Sequence, residues 1–304
     1  MVKKILLFSS LVIFIPFIIV ITFIKDDEIV FNFSQNSIVR VYNEQTNNIK
    51  HVPIEEYVVG VLAGEMPVEF ELEALKAQAV AARSYVMKQM ERNIKKEYDV
   101  VDTVINQVYL DKEQLMSVWK NSYTENINKI KTAVLQTKGE YVSYKGKVAE
   151  ALFFSTSPGK TENSEEIFTN KVPYLRSVES SWDEISPVYN TNKTYTLEEF
   201  YSLLNIDYEE KLNIEVIRKT STGRIKKIKI NGKELTGSYV CSKLSLRSTY
   251  FEIIKEDNKI IIKNKGYGHG VGMSQYGAQG MAKEGYSYKE ILKHYYTNIE
   301  IKKI

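Results

Sequence analysis

Residues Gly64–Asn93 read GEMPVEFELEALKAQAVAARSYVMKQMERN. From Glu69 to Asn93 the apolar residues Leu72, Leu75, Ala79, Ala82, Val86 and Met90 recur at steps of three and four. That spacing predicts one long helix with a single apolar face. Lys76 and Arg83 lie seven apart, two helical turns, so the reading places them together along the edge of that face. Glu65 stands between the apolar run Val58–Ala63 and Met66-Pro67. A carboxyl in apolar surroundings has its charged form disfavoured and its pKa raised, as a general acid requires. The competing reading makes Glu65 a carboxylate capping the N-terminus of the helix, where the helix dipole would lower its pKa. The residues alone leave both open.

Outward from this helix, Val39–Tyr42, the turn Thr46–Asn48 and Ile49–Val52 read as strand, turn, strand. A second helix is expected over Thr124–Gln136, and a β-hairpin over Glu140–Tyr144 and Ala149–Ser155 about Lys145-Gly146. Residues 190–255 change character: a short helix at Leu197–Leu204, then strands at Ile214–Lys219 and Ile225–Ile230 with an Asn231-Gly232 turn. They are expected to form a smaller β-rich lobe inserted between two parts of one site. A strand Lys259–Asn264 leads into the glycine-rich segment Gly266–Gly277, and a last helix covers Tyr288–Tyr296. The fold class expected is α+β, with helices and antiparallel strands around a groove.

Ile5–Ile24 is a 20-residue run broken only by Ser9, Ser10, Pro16 and Thr22. As a helix it would span about 30 Å, the thickness of a bilayer core. Lys3 and Lys4 precede it, while Lys25 is followed at once by Asp26, Asp27 and Glu28. The positive-inside rule then predicts a cytoplasmic N-terminus and an extracytoplasmic remainder. The run is longer than the core of a cleaved signal peptide and lacks a small-residue cleavage site. The expected organisation is an anchor at 1–24, a linker at 25–38 and a catalytic region at 39–304.

Of the formal net charge of +3, two units belong to Lys3 and Lys4, and the near-neutral remainder disfavours nucleic acid as a partner. The single cysteine excludes an intramolecular disulfide framework. Cys241, in the run Tyr239–Lys243 read as a strand, is expected to be a small buried hydrophobe rather than a nucleophile. His51, His269 and His294 are the only histidines, and none has a second ligand at metal-binding spacing, so no metal is expected. The glycines at 266, 268, 270 and 272 fail both nucleotide-loop patterns because Val271 breaks the spacing. They permit close backbone approach to a ligand or a tight structural turn. Ser155–Asn163 runs from an apolar strand into hydroxyls and an amide, either a surface loop or a hydrogen-bonding wall for a hydroxyl-rich ligand.

Taken together, Glu65-Met-Pro67, Glu73–Ala79, Ala81–Tyr85, Ser155–Ser157 with Gly159–Asn163, Pro173–Val178, Trp182-Asp183, Leu246–Ser248 and Gly268–Gly277 resemble the stage II sporulation protein D family. The resemblance runs from about Val39 onward and implies a membrane-anchored lytic transglycosylase. Such an enzyme cleaves peptidoglycan between N-acetylmuramic acid and N-acetylglucosamine, leaving 1,6-anhydro ends, during engulfment of the forespore. It implies Glu65 as the catalytic acid and then base. Lys76 and Arg83 are implied as basic residues important for activity, with Ser155, Thr156, Ser157, Asn163, His269, Ser274, Gln275 and Tyr276 lining the groove. The implied partners are glycan strands and the sporulation proteins P and M. Some relatives carry a zinc site of cysteines and histidines, but Leu152–Pro158 holds neither residue type, and no cofactor is expected. The alternative is a non-catalytic glycan-binding module that stimulates an amidase.

Overall fold

The computed structural model describes residues 37–304, so the expected anchor at 1–24 and most of the linker lie outside the described residues. The chain begins with the antiparallel pair β1 (Ile38–Asn43) and β2 (Asn48–Pro53), in register from Ile38 opposite Pro53 to Asn43 opposite Asn48. Val39 and Val41 alternate inward, as a half-buried strand requires. Helix α1 (Ile54–Glu65) follows directly. The apolar run Val58–Ala63, which the sequence offers only as surroundings for Glu65, is helical.

Helix α2 (Leu72–Arg92) is the axis of the main core. It packs on α1, on α4 (Tyr123–Gln136), on α8 (Gln275–Lys283), on α9 (Tyr288–Tyr295) and on β4 (Glu140–Tyr144). The single apolar face expected of it is a correction: Ala74, Ala77, Ala79, Ala81 and Ala82 are all buried, and so are Gln78, Arg83 and Ser84. A helix apolar nearly all round is an interior helix, and the small alanines let neighbours approach from every side.

Between α1 and α4 lie β3 (Val100–Val101), parallel to β1, and α3 (Lys112–Trp119). Asp111 and Gln114 form a reciprocal capping box at the start of α3. The hairpin expected after α4 is shorter than its sequence suggested. Strand β4 pairs with only β5 (Lys147–Val148), and with β14 (Glu300–Lys303) on its other edge. The chain then turns away, so that β6 (Phe153–Phe154) pairs in parallel with β13 (Met273–Ser274). A short helix, α5 (Ser164–Ile167), and a 3-10 turn at Ser181–Ile185 complete this half.

A second core is built from Leu197, Phe200, Leu204, Ile228, Val240, Ile260 and Ile262, among others. It lies between two antiparallel sheets. One is ordered β10 (Lys233–Thr236), β9 (Ile225–Ile230), β8 (Ile214–Lys219). The other is ordered β11 (Phe251–Glu256), β12 (Lys259–Lys265), β7 (Asn190–Thr196). Helices α6 (Leu197–Leu204) and α7 (Gly237–Lys243) complete it. Strand β12 is therefore the middle strand of this sheet, not merely a lead-in to the glycines. Cys241 sits on α7 rather than on a strand, its thiol donating to the Leu246 carbonyl at 3.3 Å. The hairpin joining β9 and β10 turns at Asn231 (φ 45°) and Gly232 (φ 81°), the two left-handed residues that such a tight turn needs.

Candidate active site

Glu65 is the last residue of α1. Pro67 biases Met66 to extended backbone (φ −122°, ψ 141°), and the helix stops there. This corrects the N-terminal capping alternative. Glu65 stands at the negative end of a helix, where the dipole opposes a carboxylate instead of favouring one. The side chain is half-buried, and burial raises its pKa above the ordinary 4.5. The Val108 N–H, donating to Oε1 at 2.7 Å, and the nearby Gln275 side chain oppose that shift without cancelling it.

Gln275 also donates its amide to the Glu65 main-chain carbonyl at 3.2 Å. Next along α8, the Tyr276 N–H donates to the Ser155 carbonyl at 3.0 Å, and the Tyr276 ring meets Phe70 edge-on. Four of the residues singled out in the sequence (Glu65, Ser155, Gln275 and Tyr276) thus come together where α1 ends and α8 begins.

A cleft of about 930 Å³ is lined by Tyr85, Asn106, Glu150, Phe153, Phe168, Lys226 and His269, among others, and by none of those four; it is linked to Glu65 through the loop that carries both Asn106 and Val108. It is continuous, through Glu166, Ile167, Lys226 and His269, with a hollow of about 490 Å³ reaching Thr220, Cys241 and Arg247 of the β-rich half. Val104 and Ile105 stand 87% and 67% exposed on one lip, and Phe168 44% exposed on the other. Apolar side chains thus stand on the rim of a cleft whose lining also holds charged groups.

The carboxylates that line the cleft have cationic partners. Glu150 is paired with Arg92, Nη2 to Oε2 at 2.6 Å. Arg176 Nη1 donates to Glu165 Oε1 at 2.8 Å and holds its pKa down to about 2. Glu166 is paired with Lys226 at 2.8 Å. For Glu165 the ion pair with Arg176 favours the charged form, so it is a poor proton donor.

Several residues expected to line the groove serve the interior instead. The Thr156 and Ser186 hydroxyls share a hydrogen bond at 2.8 Å. The Ser157 N–H donates to Asp183 Oδ1 at 2.8 Å, and the Ser274 hydroxyl donates to the same oxygen. Asp183 is fully buried, and burial lifts its pKa to about 6 despite the hydrogen bonds it accepts. It clasps the Ser157 loop to the start of α8. Asn163 Oδ1 accepts from the Ser177 N–H at 3.1 Å.

His269 Nδ1 accepts from the Val271 N–H at 3.1 Å, its ring faces Phe154 and Phe168, and burial lowers its pKa to about 4. It is a neutral wall of the cleft at ordinary pH. Of the two readings the sequence left open, the contacts of the glycines around it support the structural one, close packing against the protein's own atoms. A side chain on Gly272 (φ 84°) would overlap the Leu152 carbonyl, and one on Gly270 (φ 88°) would press on Arg224.

Lys76 and Arg83 do not project together along an exposed edge. Arg83 is 0% exposed and fully engaged: Nε and Nη2 donate to Glu55 at 2.9 and 2.6 Å, and Nη1 to the Glu140 carbonyl at 2.9 Å. Lys76 pairs with Glu73 at 2.6 Å and lies over the Tyr288 ring. Glu73 also accepts the Tyr288 N–H that opens α9, at 2.8 Å. Both cations therefore tie elements of the core together. The sequence reading missed Tyr85, Asn106 and Val108. For Tyr85 there was a signal, since it closes the Ala81–Tyr85 motif on the central helix.

A half-buried carboxyl at a helix terminus, near a rimmed cleft in an α+β scaffold, is the arrangement that the site presents. Comparison with known proteins supplies the lineage. A family model for the stage II sporulation protein, SpoIID, matches residues 42–144. The chain is 44% identical over 268 residues to stage II sporulation protein D of Bacillus amyloliquefaciens, covering 86% of this chain and 78% of that protein. It is 42% identical over 266 residues to its Bacillus subtilis counterpart, with the same coverage of both chains. Bacillus subtilis amidase enhancer is 33% identical over 294 residues, covering 78% of this chain and 39% of that protein. The chain belongs to the stage II sporulation protein D family.

Proposed function

We propose that this protein is a lytic transglycosylase of peptidoglycan, acting in sporulation, with Glu65 as its acid and then its base. The observation that supports this most directly is a half-buried carboxyl of raised pKa near a cleft whose own three carboxylates are each paired with a cation. Ordinary glycoside hydrolysis uses two carboxyl groups, one to protonate the leaving oxygen and one to serve the opposite ring face. A transglycosylase needs one. Glu65 donates its proton to the glycosidic oxygen as the bond to the muramic C1 breaks. The carboxylate left behind takes the proton of the same sugar's C6 hydroxyl, whose oxygen closes on C1. The nucleophile is already attached to the substrate, so its entropy of approach is prepaid.

The same reading places residues 1–24 in the membrane, the described region outside it, and the sporulation proteins P and M as partners. The decisive experiment is mass analysis of fragments released from denuded glycan strands by wild type and by Glu65→Gln, both confirmed folded. The expected result is 1,6-anhydro ends from wild type and a rate lower by roughly 10²–10⁴-fold from the variant. Reducing ends would make the protein a hydrolase instead. A second reading is supported by the similarity to the amidase enhancer: a module that grips glycan and stimulates an amidase. It predicts glycan binding without release, and stimulation that survives Glu65→Gln.

A further inference from the structure

We propose that the Tyr85 hydroxyl is a substrate-contacting hydrogen-bond donor of this site, aimed from α2 at an oxygen of the bound glycan, a ring hydroxyl or an acetamido carbonyl. This rests on the reading of the cleft as a glycan site. The direction of the hydroxyl follows from its neighbours. Asn106 Oδ1 accepts from the Val101 N–H at 2.9 Å. A main-chain amide only donates, so this contact fixes which way the Asn106 side chain faces. Its Nδ2 then donates to the Tyr85 oxygen at 2.9 Å. That oxygen is thereby an acceptor, and its own proton points elsewhere. Among the described residues, no hydrogen bond takes that proton up.

The ring of Tyr85 is 8% exposed, yet the residue lines the cleft, so the proton is offered to whatever fills it. A ligand oxygen in the cleft would supply the acceptor that this proton lacks. Burial, with Glu65 and Glu150 adding to it, keeps the phenol protonated and so a donor.

One loop sets both this donor and the acid. Residues 102–109 are closed by the Tyr109 N–H on the Asp102 carbonyl at 3.2 Å. This loop carries Asn106 to Tyr85 and the Val108 N–H to Glu65. A glycan held by Tyr85 is therefore registered against Glu65 through a single loop, as a near-attack geometry demands.

The test is titration calorimetry with an N-acetylglucosamine tetramer, using the inactive Glu65→Gln protein as parent so that nothing is cleaved. Tyr85→Phe keeps the ring and removes the proton, and is expected to weaken binding about tenfold. Asn106→Asp keeps an acceptor for Val101 but turns a second oxygen towards Tyr85, which then spends its proton inside the protein. It is expected to weaken binding to a similar degree, with Tyr85→Phe adding nothing further in its presence. A purely structural hydroxyl would lower the melting temperature and leave the affinity of the folded protein unchanged. Equal affinity of Tyr85→Phe and parent would overturn the proposal while leaving the transglycosylase reading intact. If the parent binds the tetramer but wild type releases nothing from strands, that reading fails, and the binding ratio still decides the role of Tyr85. A parent that does not bind at all overturns both.

Discussion

At the scale of single residues, Glu65 and Gln78 make opposite demands. Glu65 must hold a proton to act as an acid, and burial extends the pH range over which it does. Fragment release is therefore expected to fall as pH rises through a pKa above 4.5, read from the initial rate of anhydro-end formation across pH 4–9. A rate that climbs over that whole range would count against Glu65 as the acid. Gln78 lies fully buried on the central helix, and both atoms of its amide lack a hydrogen-bond partner. Gln78→Met keeps the volume and removes the unmet polar atoms, so stability should rise by about 1–2 kcal/mol, measured by thermal unfolding. Glu65 was legible in the sequence because a lone acid among apolar residues stands out. Thr156, Ser157 and Ser274 were legible only as polar residues. Whether a hydroxyl faces a ligand or a buried Asp183 depends on the opposite wall, which comes from far along the chain.

At the scale of elements, strands and helices with strong local signals were read almost to the residue: β8, β9 and α6 in the β-rich half, α9 at its capping box. Helix α1 was missed because Tyr57–Ala63 is a continuous apolar run without a helical period, and α7 because Tyr239–Lys243 suits a strand equally well on a two-residue period. The role of Arg83 illustrates the same limit. Helical spacing gives its angle on α2 but not the presence of Glu55 on α1, which turns an expected groove residue into a bolt between α1, α2 and β4. Arg83→Met should cost about 3–5 kcal/mol by stranding Glu55, and adding Glu55→Leu should recover much of that loss. Equilibrium denaturation of the four proteins of this cycle gives the coupling, and additive losses would refute the bolt. In the glycine-rich segment, Gly272→Ala should destabilise strongly, because the added methyl has only the Leu152 carbonyl to occupy and φ 84° is itself strained for alanine. Retained melting temperature in that variant would show that the segment can yield.

Across the whole molecule, the two cores meet through charges as well as through apolar packing. Arg224, on the loop between β8 and β9, reaches the Gly268 carbonyl at 3.1 Å and lies 3.9 Å from the buried Glu162. Lys226 crosses to Glu166. Burial lifts the pKa of Glu162 to about 7, with Arg224 only partly offsetting it. A carboxyl whose pKa is raised on folding binds its proton more tightly in the folded state, so its contribution is fullest below pH 4.5 and is lost as pH rises to about 7. The loss is on the order of 3 kcal/mol. Asp183, lifted from 3.8 to about 6, adds to it with the same sign. Folding stability is therefore expected to decline between about pH 4.5 and 7, followed by urea unfolding at a series of pH values. Glu162→Gln should flatten the upper part of that decline, and an unchanged slope would dissociate it from Glu162. None of this was readable beforehand, because Glu162 and Arg224 are 62 positions apart and only the fold pairs them.

The hydrogen bond from Gln275 to Glu65 spans 210 positions, and the parallel pairing of β6 with β13 spans 120. A ribosome delivers α1 and its acid early, and the wall that completes the site only after the entire β-rich half has emerged. A nascent chain thus carries a carboxyl with nothing to hold a substrate against it. If the proposed cleavage is its activity, the order of synthesis is itself a safeguard, since that cleavage has no complete site until the last elements arrive.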